Sequence, residues 1–379
     1  MKSKRKPVLL MFGGVSPEHE VSVVTGLQAL EALDQKKYEP YVMYVSKKGE
    51  FLHIPKLDSR KNFLKQRRVA VSFGRDSRGG FVRQDGIGSS KVYPYAALLC
   101  FHGGGGEGGA IQGLLDTCDI AYTSTSSEGS HIAMNKQITK ELAASKGINI
   151  VPGVALRSSD IRNNVQQAVQ DCSVLGTNLI IKPAHLGSSI GIDIAHSEVE
   201  LEKALLTASF VDSEVVVEKL LSDFVEYNCA VRMVGKDIEV SEIEKPISKE
   251  AILSFAEKYQ RGGKKTAQQG MASLNRELPA RISEDLKKQI TNTAREVFKA
   301  ARINGMARID FMYTEDGALY LTEINSIPGS LAFYLWEARG ISYTQQLDEM
   351  IEEGRKKRDR SSSQVFDHES DIVEKFIDQ

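Results

Sequence analysis

A β-hairpin with polar residues on one face constrains this chain more than any other feature of its sequence. The segment "ARIDFMYTEDGALYLTEIN" alternates apolar and polar residues on both sides of Asp316-Gly317, a pair typical of two-residue hairpin turns. Such a turn places Asp310 opposite Glu323 and Arg308 opposite Asn325. Because side chains alternate between the two faces of a strand, these four polar side chains then share one face.

The opposed carboxylates of Asp310 and Glu323 indicate a cation site. Like charges directly across a strand pair repel each other, and a divalent cation removes that repulsion. Mg²⁺ prefers a few carboxylate or amide oxygens together with substrate phosphates. The alternative is a four-residue loop over "TEDG", which pairs Arg308 with Glu323 as a surface salt bridge. Taken alone, the hairpin leaves both arrangements open.

The composition is that of an ordinary globular protein without a strong net charge. The 379 residues include 49 basic and 50 acidic side chains, which suffices for two or three domains but gives no field that favours nucleic acid or a membrane surface. The four cysteines are scattered, as is typical of thiols in a reducing compartment. The apolar run "PVLLMF" near the start is too short for a signal peptide or a membrane span. We therefore expect a cytoplasmic protein with neither a nucleic-acid nor a membrane partner.

The order of the apolar segments predicts an α/β unit followed by α+β units. "KPVLLMFGG", "YEPYVMYVS" and "YAALLCF" have the pattern of buried strands with helices between them. "NLIIKP", "EVVVEKLL" and "EYNCAVRMV" predict further strands. The helix before the hairpin has an apolar face formed by Leu286, Ile290, Ala294, Val297, Phe298 and Ala301. Residues 66–90 predict an exposed hairpin or a mobile loop, and residues 246–280 predict a mobile loop.

Two glycine-rich segments indicate contact with phosphate groups, although "GSSIG" taken alone is equally typical of a tight turn. "HLGSSIG" follows a buried strand that carries Lys182, and small residues let backbone N–H groups approach an anion closely. "HGGGGEGG" matches G-x-G-x-x-G at Gly103, Gly105 and Gly108. A dinucleotide-binding oxidoreductase is therefore an alternative. It is disfavoured because only Glu128, in a serine-rich loop, could supply the acidic residue that such a site requires about twenty residues later.

Taken in order, these segments resemble the D-alanine–D-alanine ligases of the ATP-grasp superfamily. The resemblance runs from about residue 8 to about residue 350 through "GGVSPEHEVSVVTG", "HGGGGEGGAIQGLL", "AMNKQITK", "IIKPAHLGSSIGI", "VVVEKLLS", "AEKYQ", "ARIDF" and "LTEINSIPG". It implies an ATP-grasp fold of the α/β and α+β classes, in which an N-terminal parallel-sheet domain precedes two lobes that clamp ATP. We place the N-terminal substrate domain at residues 1–128 and the central lobe at 129–215. The C-terminal lobe, with the metal and acceptor site, follows at 216–355, and a solvated polar tail at 356–379.

The family's reaction implies a role for each matching residue. ATP phosphorylates the carboxylate of one D-alanine, and the amine of a second attacks the acyl phosphate to give D-alanyl-D-alanine for peptidoglycan precursor synthesis. Such chemistry depends on cations that stabilise phosphoryl oxygens. The resemblance assigns two Mg²⁺ ions, or Mn²⁺ in their place, to Asp310, Glu323 and Asn325. It assigns catalytic roles to Glu18, Ser188, Tyr259 and Arg308.

The remaining matches concern the substrates. The resemblance assigns ATP contacts to Lys136, Lys182, Ser189, Glu218, Lys219, Leu221, Glu226 and Lys258. It assigns the amino-acid site to His102, Gly329 and Ser330. Lys258 and Tyr259 match a mobile loop that closes over the site, and Glu18 is expected to connect through Ser188 to Tyr259. The resemblance also allows a homodimer.

The segment after Pro328-Gly329 departs from the family pattern. Typical members have a longer serine-containing segment there, whereas in this chain "SLAFY" leads directly into "LWEARGISY". Ser330 is our candidate for the hydroxyl that grips the second substrate. A ligase with a different amino-acid or larger acceptor is therefore an alternative, although Tyr259 favours an amine acceptor. A catalytically silent nucleotide-binding protein is a further alternative, which the presence of Arg308 and Lys182 disfavours.

Overall fold

The computed structural model describes residues 5–57, 59–85, 90–247, 275–362 and 370–377. Within these ranges the chain forms three sheets, and each sheet packs against at least one helix. No helix in the described part of the chain is long and apolar enough to cross a membrane.

The first sheet has seven strands in the order β6-β5-β4-β3-β2-β1-β7. Strand β1 (Lys6–Gly13) pairs in parallel with β2 (Tyr38–Val45) and β7 (Ala96–Leu99), and helix α1 (His19–Ala32) packs on β1. These three strands confirm the predicted α/β unit. The other strands, which pair antiparallel, are β3 (Phe51–His53), β4 (Val69–Asp76), β5 (Gly79–Gln84) and β6 (Lys91–Val92). The helices that follow are α2 (Gly104–Glu107), α3 (Ala110–Thr117) and α4 (Ser127–Met134).

The segment 66–90 is the hairpin β4–β5, one of the two predicted alternatives. It is not wholly exposed, because Val71 and Val82 are buried in the core of the first sheet. Residues 86–89 lie outside the described residues.

The second sheet is antiparallel, with the strand order β10-β9-β11-β8. Its strands are β8 (Gly153–Arg157), β9 (Leu179–Pro183), β10 (Asp193–Ala195) and β11 (Glu214–Lys219). Its helices are α5 (Lys136–Ser145), α6 (Ser158–Asn163), α7 (Val165–Cys172) and α8 (Glu198–Ser209). Every residue of β9 is buried, so Lys182 enters the interior on a strand that is otherwise apolar.

The third sheet is also antiparallel and has the order β14-β13-β12-β15-β16. Its strands are β12 (Phe224–Val234), β13 (Asp237–Pro246), β14 (Arg276–Glu277), β15 (Met306–Thr314) and β16 (Leu319–Asn325). Helix α9 (Glu284–Ala300) packs on it, and all six predicted apolar-face residues, from Leu286 to Ala301, are buried. Of the predicted loop 246–280, residues 248–274 lie outside the described residues.

The hairpin of β15 and β16 has the predicted pairing. Arg308 lies opposite Asn325, and Asp310 lies opposite Glu323. The alternative pairing of Arg308 with Glu323 is therefore wrong. The sequence-based expectation about the turn is also wrong, because Thr314 N–H donates to the Ala318 carbonyl at 3.0 Å and leaves a three-residue turn.

A β-bulge reconciles that turn with the pairing. A regular ladder counted from the turn would place Thr322 opposite Asp310 and the buried Ile324 opposite Arg308. The register instead shifts by one residue between Asp310 and Phe311, so that Thr322 is the extra residue. The bulge thus brings Glu323 and Asn325 opposite Asp310 and Arg308.

The C-terminal segment consists of α10 (Phe333–Glu337), α11 (Tyr343–Ser362) and α12 (Ile372–Ile377). The expectation of a solvated tail from residue 356 is wrong for its first residues, which continue α11. Lys357 Nζ donates to the Ser124 carbonyl at 2.8 Å, and Arg358 forms two hydrogen bonds with Asp119 at 2.7 and 2.9 Å. The charged side chains that suggested a solvated tail instead form contacts with the first domain.

The C-terminal segment also completes the core of the first sheet. Trp336 and Leu347 are fully buried and belong to the same hydrophobic cluster as β1 and β7. Tyr343 and Ile351 of α11 extend that cluster. The first and last parts of the chain therefore share one core.

Candidate active site

The polar face of the β15–β16 hairpin is almost buried. Arg308 donates from Nε and Nη2 to both carboxylate oxygens of Asp310, at 2.7 and 2.6 Å. Asn325 Nδ2 donates to Asp310 Oδ2 at 3.2 Å. Burial raises the pKa of Asp310, although the Arg308 guanidinium opposes that rise. The four predicted residues are therefore brought together, with Glu323 directly across the ladder from Asp310.

The donor set on this face suits a hard divalent cation. Asp310, Glu323 and Asn325 offer oxygen ligands from two adjacent strands, which is the chemistry that Mg²⁺ prefers. Among the described residues, no cluster of three or more His, Cys, Asp and Glu side chains could hold a metal. A cation at the hairpin would thus need the Asn325 amide and oxygens from a substrate to complete its coordination.

A buried lysine cluster lies within electrostatic range of that face. Lys182 Nζ donates to Glu218 Oε2 at 2.9 Å, and Lys140 Nζ contacts the other oxygen of Glu218. Burial, with the nearby charge of Lys136, lowers the pKa of Lys182 to about 8. Burial also lowers the pKa of Lys140, while the charge of Glu323 opposes that shift for both lysines. Lys140 and Lys182 thus share one Glu218 carboxylate, and Lys136 adds a further positive charge nearby, which suits an anionic ligand.

Lys140 was missed by the sequence reasoning. It lies one helical turn after Lys136 on α5, a spacing that places both side chains on the same face. The role of the Glu218 side chain was also missed, because the resemblance assigns Glu218 only an ATP contact. Its carboxylate is 1% exposed and serves as the counter-ion of Lys140 and Lys182.

The loop after β9 approaches the start of α1. Ser188 and Ser189 both have left-handed backbone conformations, with φ of 54° and 59°. The Ser188 hydroxyl donates to the Glu18 carboxylate, so the expected contact between these residues is present. Lys136 Nζ donates to the Leu186 carbonyl at 2.5 Å. The loop therefore lies between Glu18 of the first domain and Lys136 of the second.

Three further predicted ATP contacts lie on or after strand β11. Lys219 ends β11 and is exposed, while Leu221 in the following loop is half-buried. Glu226 lies on β12, where its charge acts on Lys182. Lys258 and Tyr259 lie outside the described residues, and the expected connection from Ser188 to Tyr259 is therefore not described.

His102 and the segment Gly329–Ala332, which we call the acceptor segment, meet on the other side of the hairpin. His102 is buried, with Nδ1 2.8 Å from the Ile327 carbonyl and Nε2 2.7 Å from Thr25 Oγ1. Burial lowers the pKa of His102 to about 4, which keeps the imidazole neutral at pH 7. The Ser330 N–H donates to Thr25 Oγ1 at 3.1 Å. The structure thus joins His102 and Ser330 through Thr25, which the sequence reasoning did not identify.

Glu107 is a further buried carboxylate that was missed. Its Oε2 accepts from the Gly103 N–H at 2.9 Å, and its Oε1 accepts from the Ile327 N–H at 3.1 Å. Burial, with the charges of Glu18 and Glu323, raises the pKa of Glu107 to about 7. It is the last residue of α2, within "GEGG", where the sequence shows a carboxylate but not the chain segment that it contacts.

A second missed network lies behind Arg308. Glu244 of β13 is buried and accepts hydrogen bonds from Arg276 at 2.6 Å, from the Tyr334 hydroxyl at 3.1 Å and from Asn228 at 3.3 Å. The Arg276 guanidinium stacks over the Tyr334 ring at 4.0 Å. Tyr334 belongs to the shortened "SLAFY" segment, so this segment contributes directly to the surroundings of Arg308.

Comparisons with known proteins agree with this geometry. A family model described as "D-ala D-ala ligase N-terminus" matches residues 7–125, and one described as "D-ala D-ala ligase C-terminus" matches residues 142–352. The D-alanine–D-alanine ligase of Thermosipho africanus is 35% identical over 347 residues, which cover 90% of this chain and 91% of that protein. The corresponding ligase of Listeria monocytogenes (strain EGD-e) is 31% identical over 370 residues, or 93% and 95% of the two chains.

Two solved structures are similar over nearly the whole chain. The D-alanine–D-alanine ligase from Coxiella burnetii has a TM-score of 0.77 at 25% identity, covering 95% of this chain and 97% of that one. The VanG D-Ala:D-Ser ligase from Enterococcus faecalis has a TM-score of 0.77 at 25% identity, covering 93% of this chain and 100% of that one. The chain therefore belongs to the D-alanine–D-alanine ligase family and has its ATP-grasp fold.

Proposed function

We propose that this protein is an ATP-dependent ligase that joins two D-alanine molecules to D-alanyl-D-alanine for peptidoglycan precursor synthesis. The proposal rests on one observation: the polar face of the hairpin and the lysine cluster lie close enough for their charges to interact. The charge of Glu323 acts on both Lys140 and Lys182, so carboxylates and buried lysines border one site. Such an arrangement suits a substrate that brings both phosphates and a metal ion. With ATP as substrate, we place the protein in the cytoplasm.

The lysines would hold the phosphates of ATP. Lys136 and Lys182 supply positive charge, and the backbone of the loop with Ser188 and Ser189 lies beside them. Asp310, Glu323 and Asn325 would hold Mg²⁺, or Mn²⁺ in its place, and two ions are expected from the family. When bound, the metal neutralises charge on the phosphoryl oxygens. Lys219, Leu221, Glu226, Glu218 and Lys258 stay predicted contacts of the nucleotide.

The amino-acid side of the site is formed by residues of the first domain and the hairpin. Glu18 would bind the ammonium group of the first amino acid, and Ser188 orients the Glu18 carboxylate. Arg308 stays protonated beside Asp310, because that carboxylate raises its pKa further. Its guanidinium would stabilise negative charge on the acyl phosphate and on the tetrahedral intermediate. Tyr259 stays a predicted member of this group.

The acceptor amino acid would lie near His102 and the acceptor segment, with Gly329 and Ser330 as its contacts. A ligase with D-serine as acceptor is a second candidate. Two observations favour it, namely the shortened acceptor segment and the overall likeness to a protein described as a D-Ala:D-Ser ligase. The family assignment gives no support to the oxidoreductase alternative, because the "HGGGGEGG" turn belongs to a matched ligase segment. A homodimer stays a prediction.

The proposal is tested with purified protein, ATP, Mg²⁺ and a panel of D- and L-amino acids, each supplied singly and together with D-alanine. We expect phosphate release with D-alanine alone and the mass of the dipeptide in the product. Omission of Mg²⁺ with a chelator should abolish the release. Turnover only with D-alanine plus D-serine would establish the second candidate. Turnover with none of the panel would overturn the proposal.

A further inference from the structure

The acceptor segment has an unusual backbone. Ser330, Leu331 and Ala332 follow one another with φ of 53°, 52° and 48°. L-residues avoid this left-handed region because Cβ approaches the following carbonyl oxygen, and it is occupied mainly by isolated residues. Three in succession therefore require surroundings that hold them in place.

Hydrogen bonds within the turn, to α11 and to α1 hold the segment. The Leu331 N–H donates to the Pro328 carbonyl at 2.8 Å, which closes the turn on itself. Gln346 of α11 donates to the Leu331 carbonyl at 2.7 Å. The Ser330 N–H donates to Thr25 of α1 at 3.1 Å. Of these, the Thr25 contact connects the segment to the first domain and to His102.

The directions of the hydrogen bonds around Thr25 follow from donor and acceptor chemistry. The Ile327 carbonyl can only accept, so His102 Nδ1 carries the proton and Nε2 is an acceptor. The Thr25 hydroxyl then donates to Nε2 and accepts from the Ser330 N–H. The lowered pKa of His102, about 4, agrees with this neutral tautomer.

Burial makes these contacts difficult to replace. Thr25 is 1% exposed, His102 is 4% exposed and Ser330 is 2% exposed. If the Thr25 hydroxyl were lost, the Ser330 N–H and His102 Nε2 would both lose their partner in a region where water has little access. The left-handed segment would then lose the contact that fixes it against α1.

We propose that Thr25 is a positioning residue for the acceptor half of the reaction, because its hydroxyl holds the acceptor segment and His102 in one arrangement. The inference rests on the proposed function. When the acceptor amine is misplaced, water attacks the acyl phosphate instead and releases the free amino acid and phosphate. Loss of the hydroxyl should therefore uncouple phosphate release from dipeptide formation.

The test compares Thr25→Val, which removes the hydroxyl at nearly constant volume, with Thr25→Ser, which retains it. Each variant is supplied with ATP, Mg²⁺ and D-alanine, and the ratio of phosphate released to dipeptide formed is measured. This ratio does not depend on the fraction of protein that is folded. We expect a ratio near one for the wild type and Thr25→Ser, and at least about a twofold to threefold rise for Thr25→Val, with a higher KM for D-alanine and an unchanged KM for ATP.

Thr123→Val is the matched control. Thr123 is also buried in the first domain, and its hydroxyl also accepts a backbone N–H, that of Leu99 at 3.1 Å. Its loss should lower stability without changing the ratio. If Thr25→Val does not fold, Thr25→Ala replaces it with the same expected rise.

Two outcomes separate this inference from the proposed function. A wild-type protein that forms no dipeptide would overturn the proposed function. A wild type that forms the dipeptide, with a phosphate-to-dipeptide ratio in Thr25→Val equal to that of the wild type, would overturn the positioning role alone. A ratio that rises equally in Thr123→Val would also overturn it, because the effect would then be one of general stability.

Discussion

The lysine cluster shows how burial changes the chemistry of single residues. Lys140 and Lys182 share the Glu218 carboxylate, and the nearby charge of Lys136 makes protonation of both less favourable. A phosphate ligand would remove that penalty by adding negative charge. The sequence shows the three lysines, but not that they converge, because Lys182 and Glu218 come from strands 36 residues apart.

The lowered pKa of Lys182 predicts a pH dependence of ATP binding. With a pKa of about 8 in the free protein, Lys182 loses its charge as the pH rises through 8. The apparent KM for ATP should be flat below about pH 7.5 and rise about tenfold by pH 9, one pH unit above that pKa. Steady-state kinetics across this range test the prediction. In Lys182→Arg the profile should be flat, since arginine keeps its proton, and a flat profile in the wild type would contradict the assignment.

The substitution Glu323→Gln distinguishes two interpretations of the hairpin carboxylates, a metal site and a salt bridge. The substitution keeps the shape of the side chain but removes the charge opposite Asp310. We expect ADP formation to fall at least about 100-fold and more Mg²⁺ to be needed for the remaining activity.

The control for that substitution is Glu315→Gln. Glu315 is an exposed carboxylate at the turn of the same hairpin, and its loss should leave ADP formation unchanged. Wild-type activity in Glu323→Gln would mean that the hairpin carboxylates are held by cationic side chains rather than by a metal.

The sequence could not predict those site residues whose position depends on contacts with distant parts of the chain. Strand alternation suffices to place Arg308, Asp310, Glu323 and Asn325 on one face. Thr25 and Glu107 could not be identified in this way, because each also contacts a backbone group more than 200 residues away. Such contacts have no spacing that can be read along the chain.

At the level of elements, the hairpin has the strand pairing that the sequence predicted, although the predicted turn length was wrong. Asp316-Gly317 is typical of a two-residue turn, yet the turn has three residues and Gly317 takes the left-handed position, with φ of 85°. The bulge at Thr322 supplies the compensating residue. Bulges depend on packing against neighbouring strands, so neither the longer turn nor the bulge could be predicted from this segment alone.

Helix α11 leads to a prediction about truncation. A chain that ends at residue 355 loses the Lys357 contact with Ser124 and the two hydrogen bonds between Arg358 and Asp119. We expect its melting temperature to fall by about 3–6 °C, because Asp119 would lose most of its pairing. A chain that ends at Ser362 keeps these contacts and should melt within about 1 °C of the full chain. Equal melting temperatures for both truncations would show that the helix end contributes nothing to stability.

At the scale of the whole molecule, the main strands of the three sheets were predictable, because their apolar residues follow one another or alternate along the chain. The α/β opening, the apolar face of α9 and the ATP-grasp class all follow from pattern and from the order of motifs. The assignment of residues 356–360 to a solvated tail failed, since high charge is equally compatible with a helix whose charges are paired. Lys357 and Arg358 are paired with groups of the first domain, which the local sequence does not reveal.

The core shared by the two ends of the chain affects how the protein can fold during synthesis. The strands β1, β2 and β7 are complete by Leu99, but Trp336, Leu347 and Ile351 belong to the same hydrophobic cluster. At a translation rate of about 5–20 residues per second, the first sheet would leave the ribosome on the order of ten seconds or more before those residues are made. During that interval the part of its apolar surface that these residues cover lacks its native contacts. The nascent N-terminal domain should therefore be a client for chaperones, and its final packing should follow release of the finished chain.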